Sequence, residues 1–126
     1  CSKVLVRDGA TLRIGDNSGM SNTVIQCWKR VEIGDNVKIG AGTIIMDTNF
    51  HSLDWKERMN KSTDSANAKS APVVLKNNVF IGAKTIILKG VTIGENSVIA
   101  AGSVVVKSIP DNCIAGGNPC VVIKQQ

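Results

Sequence analysis

Among residues able to act as bases or nucleophiles, the 126-residue chain has a single histidine, His51, set in the stretch "MDTNFHSLD" at positions 46–54. A neutral imidazole can take a proton from a hydroxyl near physiological pH, so a lone His is a candidate general base, although a single His is more often structural or merely exposed. Asp47 lies four residues before it, Asn49 two before, and Arg58 seven after. Asp47 could orient the ring or equally be a turn residue, and Arg58 could meet an anionic ligand or stand as a solvated loop charge. Trp55 could pack on a ligand or pin the surrounding loop. The four cysteines, Cys1, Cys27, Cys113 and Cys120, have neither C-x-x-C spacing nor a nearby His, which argues for reduced thiols and against a metal site. A covalent route through Cys120 would need a base or cation beside the thiol, and the local "NPC" context offers none.

What would position these groups is a repeat of period six. Stepping from Leu75 gives Ile81, Ile87, Ile93, Ile99 and Val105, all aliphatic. Four residues after each come Val79, Thr85, Val91, Ser97, Ser103 and Ile109, all small or β-branched. The same beat runs through Ile33, Ile39 and Ile45, and back to Cys27. One inserted residue then brings Met20 and Ile14 into line, with Val24, Ser18, Leu12 and Val6 as companions. Six suits neither the 3.6 period of a helix nor the alternation of hairpin sheets. It suits a short strand plus a tight corner, and "GDN" at 15–17 and 34–36 and "GEN" at 94–96 supply corner residues. Three such units close a triangular coil of about 18 residues, and stacked coils bury a continuous aliphatic ladder. The expectation is an all-β parallel β-helix of five to six coils forming a single domain over residues 1–126.

Residues 52–72 carry no hexad and are mostly polar, so they should leave the coil as an excursion loop. Loops of roughly 20 residues without structure of their own are often functional. By count of the repeat, His51 takes the slot where an inward aliphatic residue is due, at the exit of that loop.

Composition limits the alternatives. A net charge of +5 is scattered without a basic run, which disfavours nucleic acid as a partner while leaving a polyanionic small ligand compatible. Hydrophobic content of 43% excludes a disordered chain, and no apolar run reaches the length of a membrane span. No targeting segment is present, favouring a cytoplasmic protein. The start at Cys1 reads more simply as a fragment than as a lipidated N-terminus.

The pattern [ILV]-G-x-x-[STV]-x resembles the hexapeptide-repeat acyltransferases, and that resemblance implies a left-handed coil. The "DTNFHSLD…R" segment resembles the capsular and sugar O-acetyltransferases of that family. The run "VFIGAKTIILKGVTIGENSVIAAGSVVVKSIPDNCIAGGNPCVVIK" resembles the C-terminal half of galactoside and maltose acetyltransferases. Together these cover most of residues 27–124. The resemblance implies transfer of acetyl from acetyl-CoA to a sugar or polysaccharide hydroxyl, in a ternary complex without a metal, with His51 as the base. It implies cofactor contacts at Ala83, Ala101, Val106, Lys107 and Lys124, acceptor contacts at Asp47, Asn49 and Arg58, and a homotrimer with sites between subunits. Three positions depart from the family pattern: Phe80 where Trp is frequent, Val106 for a common Thr, and Val121 for a frequent basic residue. A xenobiotic, amino-sugar N- or serine O-acetyltransferase, or a non-catalytic β-helix scaffold, remains an alternative. A γ-class carbonic anhydrase does not, because one His cannot replace three on zinc.

Overall fold

A computed structural model describes residues 1–126. Three parallel sheets run the length of the molecule. The first joins Lys3–Val6, Val24–Cys27, Ile44–Met46, Ile86–Ile87 and Val104–Val105. The second joins Thr11–Ile14, Arg30–Ile33, Val73–Leu75 and Thr92–Ile93, and Ile109 extends it by a bridge to Ile93. The third joins Gly19–Met20, Lys38–Ile39, Phe80–Ile81, Val98–Ile99 and Cys113–Gly117. The chain visits the sheets in rotation, as a β-solenoid should. Its last strand, Cys120–Gln125, turns back antiparallel onto Cys113–Gly117.

The repeat fixes what points inward. Ile45, Ile87 and Val105 stack in register, Leu75 with Ile93, and Ile39 with Ile81 and Ile99, all 5% exposed or less. They belong to one continuous cluster of 20 buried residues. The small second slots carry hydroxyls that bond locally: Thr85 Oγ1 donates to the Gly82 carbonyl at 2.8 Å and Ser103 Oγ to that of Ala100 at 2.6 Å. No buried side-chain polar atom is left without a partner. Asn36, Asn78, Asn96 and Asn112 have φ of 57–65° at the corner between the second and third sheets. Their amides form a ladder, Asn78 to Asn96 at 2.9 Å and Asn96 to Asn112 at 2.8 Å.

Near the N-terminus the register departs from the hexad count. Ile25, not Cys27, pairs with Ile45, and Val24 faces outward opposite Ile44. Cys27 is buried one step later, at a corner widened over residues 28–30. The net offset is the expected one residue, since Ile14 pairs with Ile33 and Met20 with Ile39, but the extra chain lies after Cys27 rather than before it. Ile14, a main position of the repeat, and its companion-slot residue Val6 are each 46% exposed. Their coil is the first described, so it has a neighbour on one side only.

The excursion also differs from expectation. It folds into two short helices, α1 (Trp55–Arg58) and α2 (Lys61–Asn67), capped by the side chains of Asp54 and Asn60. Its base closes earlier, where Thr48 bridges Ser70, the Asn49 N–H donates to the Lys69 carbonyl, and the Ala71 N–H donates to that of Asp47. His51 is thus already outside the coil and exposed, and Val73 and Leu75 fill the inward slots of that turn.

Candidate active site

The excursion loop holds His51 from both sides. Asp64, in the first half of α2, accepts from the imidazole Nδ1 at 2.6 Å through Oδ2 and from the Ser52 N–H at 2.7 Å through Oδ1. These hydrogen bonds hold the Asp64 carboxyl below its usual range, the one from His51 contributing most. An ionised carboxylate only accepts, so Nδ1 carries the proton and Nε2 keeps its lone pair free. The imidazole is 67% exposed, so a substrate can reach that nitrogen.

Further bonds make the loop a rigid mount. Ser52 Oγ donates to Glu57 Oε1 at 2.5 Å, and Asn67 Nδ2 donates to Glu57 Oε2 at 2.8 Å, tying α1 to α2. Arg58 donates from Nη1 to the Ser52 carbonyl at 2.8 Å, so its guanidinium braces the backbone beside His51. Trp55 lies 61% exposed, with the Lys56 ammonium 5.8 Å from its ring centroid.

For Asp47 the geometry shows the structural alternative, a corner residue. The residue is fully buried. Oδ1 accepts from the Trp28 N–H at 2.7 Å, and Oδ2 from those of Lys29 at 2.7 Å and Arg30 at 2.8 Å. One carboxylate thus closes the widened corner, taking three backbone N–H groups. Asn49 is half-buried at the foot of the loop, and its side-chain amide makes no hydrogen bond within the chain.

The expected cofactor residues fall into three places. Ala83 and Ala101 stack at the corner between the third and first sheets, where the Gly102 N–H donates to the Ala83 carbonyl at 2.9 Å. Both are exposed on a column of small residues. A Cβ at Gly40 would come within 2.5 Å of the Ala83 nitrogen, and one at Gly82 within 2.4 Å of the Ala101 nitrogen. Glycine at these two positions is what lets successive coils stack closely at this corner. Val106 and Lys107 follow the last strand of the first sheet, on the edge from which the His51 loop also leaves. Lys124 stands opposite Ile114 on the antiparallel strand of the third sheet. A single chain therefore places His51 and Ala83 at opposite edges of the first sheet.

Cys120 is buried and its thiol is pushed up by that burial, and Cys27 is raised by burial and then by the Asp47 charge. Neither is poised as a thiolate nucleophile. No group of His, Cys, Asp or Glu side chains is arranged to hold a metal ion.

Two family models match the coil, "bacterial transferase hexapeptide (six repeats)" over residues 72–107 and "hexapeptide repeat of succinyl-transferase" over residues 11–46. The hexapeptide-repeat acetyltransferase VCA0836 of Vibrio cholerae superposes with a TM-score of 0.84 at 34% identity, over 98% of this chain and 70% of that one. The chain belongs to the hexapeptide-repeat acetyltransferase family. A second structure of VCA0836 is a complex with acetyl-CoA (TM-score 0.82, 32% identity, 99% of this chain and 69% of that one). A maltose O-acetyltransferase from Clostridium difficile matches with a TM-score of 0.83 and 35% identity, over 99% of this chain and 63% of that one. The galactoside O-acetyltransferase of Escherichia coli is 40% identical over 119 residues, 93% of this chain and 55% of the relative. The chain thus spans little more than half the length of that curated relative. Of the polar partners in this hexapeptide-repeat site, Asp64, Ser52 and Glu57 escaped the sequence reading. The available signal was the pair of N-caps, Asp54 with Glu57 three residues on and Asn60 four before Asp64.

Proposed function

We propose that this protein transfers an acetyl group from acetyl-CoA to a hydroxyl of a saccharide, with His51 as general base. The observation that carries the reading is the His51–Asp64 pair, which fixes the tautomer and leaves Nε2 as the exposed acceptor. In the proposed reaction Nε2 removes the acceptor hydroxyl proton while the oxygen attacks the thioester carbonyl. The C–S bond then breaks, and the imidazolium returns its proton to the departing CoA sulfur. No covalent enzyme intermediate is required. Acetyl-CoA as donor is supported by the complex of VCA0836, and a saccharide acceptor by the galactoside and maltose enzymes among the relatives.

The separation of His51 from Ala83 and Ala101 favours a site shared between copies, His51 of one subunit facing the small-residue corner of the next. A cyclic trimer closes three such sites. The outer face of the first sheet supports association, because Val24, Ile44, Ile86 and Val104 form an unbroken aliphatic row there. Lys107 and Lys124 are proposed as point charges for the CoA phosphates. No helix is long and apolar enough to cross a membrane, and acetyl-CoA supply points to the cytoplasm.

Calorimetric titration with CoA and acetyl-CoA tests the donor without knowledge of the acceptor. Binding in the micromolar to low-millimolar range is expected, whereas none by a folded sample would leave a scaffold. With a galactoside or maltose acceptor, His51→Ala should lose roughly 10²–10⁴-fold in turnover while keeping CoA affinity. Wild-type turnover in that variant would remove His51 from catalysis.

A further inference from the structure

Eight residues other than glycine have positive φ, and six of them are asparagines, which tolerate it. Of the other two, Lys84 sits at a coil corner and Phe50, at φ 65°, immediately precedes His51. A bulky side chain in the left-handed region is held there by its surroundings, and such outliers gather at functional sites. Two contacts hold this one. The Phe50 N–H donates to Thr48 Oγ1 at 3.0 Å, and its ring meets that of Trp28 edge-to-face, 5.7 Å between centroids at 85°. Trp28 is itself fixed, by Asp47 on its backbone N–H and by the Arg7 guanidinium 4.3 Å from its ring centroid.

We propose that Trp28 is a positioning residue for His51, its ring clamping Phe50 in the left-handed turn that presents the imidazole. The inference rests on the reading of His51 as base. Turning Phe50 back to negative φ would swing the chain at His51 and Ser52. The two bonds from this pair to Asp64 could not both survive that swing. A glycine at position 50 would adopt the same turn with no clamp.

That difference supplies the test. Four variants, Trp28→Leu, Trp28→Leu/Phe50→Gly, Phe50→Gly and Phe50→Ala, are compared for turnover of acetyl-CoA with a galactoside acceptor. CoA titration and the proton NMR signal of the chain's one imidazole are recorded alongside. Trp28→Leu should lower kcat roughly ten- to a hundredfold, in keeping with the cost of a small misplacement. CoA affinity should hold, and the imidazole resonance should move. The double variant should regain most of the loss and return the resonance toward its wild-type position. Phe50→Ala should fall well below Phe50→Gly, because both lack the ring but only glycine accepts the turn without strain. The proposal is overturned by unchanged turnover and resonance in Trp28→Leu, or by a double variant no better than the single. Should Trp28→Leu fail to fold, the Phe50 pair decides, equal activities being the adverse result. The imidazole resonance needs no acceptor, so it reports on Trp28 even where the His51→Ala test has gone against the base.

Discussion

Asp64 is the residue on which the chemistry proposed for His51 turns. Its carboxylate holds the ring through Nδ1 and the following amide through the second oxygen, so losing it frees both ring and backbone. Asp64→Asn keeps the size but offers an amide that can also donate, so the preferred tautomer is no longer imposed. Turnover should fall about ten- to a hundredfold, with CoA affinity unchanged by calorimetry. The acid side follows from linkage. The folded Asp64 carboxyl is held below its ordinary value, chiefly by His51. Its contribution to loop order is therefore complete above the unfolded value of about 4 and disappears as pH falls through the lower, folded value. The protection factor of the Ser52 amide, its exchange relative to the intrinsic rate at the same pH, should fall over that window in the wild type as pH is lowered from about 6. In Asp64→Asn protection should be low throughout, and a wild-type protection factor that does not change with pH would contradict the assignment.

At the scale of elements, the corner over residues 28–30 is where the coil accommodates extra chain. Three N–H groups point at one buried carboxylate there, and removing it would strip all three of their acceptor at a part-buried corner. Asp47→Ala should accordingly destabilise the fold by about 1–2 kcal/mol, measured by urea denaturation. A loss of acceptor affinity with stability intact would return Asp47 to the binding site. The loop helices belong to the same scale. Neither α1 nor α2 buries a residue, so their order comes from caps and the Ser52–Glu57–Asn67 bonds rather than from a core. Short helices without a buried face are marginal alone, which explains why polar composition read as plain loop.

At the scale of the whole molecule, a first sheet that is aliphatic on both faces distinguishes this solenoid from an isolated rod. The inner row is the core, and the outer row of Val24, Ile44, Ile86 and Val104 is only half covered within one chain. Ile86→Asp puts a charge in the middle of that row, where desolvating it on association would be costly. The variant should remain folded, because Ile86 is not in the buried ladder, yet elute as a monomer in light-scattering chromatography. Turnover should fall with it, since His51 and the Ala83 corner would no longer meet. A trimer that survived the substitution would move the interface to another face.

The β-solenoid and its inner ladder were determined by the sequence itself, because a period of six repeats one local event: a short strand, then a corner that Asn or Gly can turn. Each step needs only its neighbours, so the pattern is visible without tertiary contacts from Ile33 onward. It failed near Cys27, where the widened corner is stabilised by Asp47, some twenty residues away in sequence and one coil away in space. The lone His51 stood out by type and by its place at the break. Its partner did not, since the 13-residue step from His51 to Asp64 carries no period, and only the folding of two capped helices closes that gap to 2.6 Å. The exposure of His51, the structural use of Asp47 and the left-handed turn at Phe50 were likewise decided by tertiary structure, because each depends on which distant group occupies the space beside it.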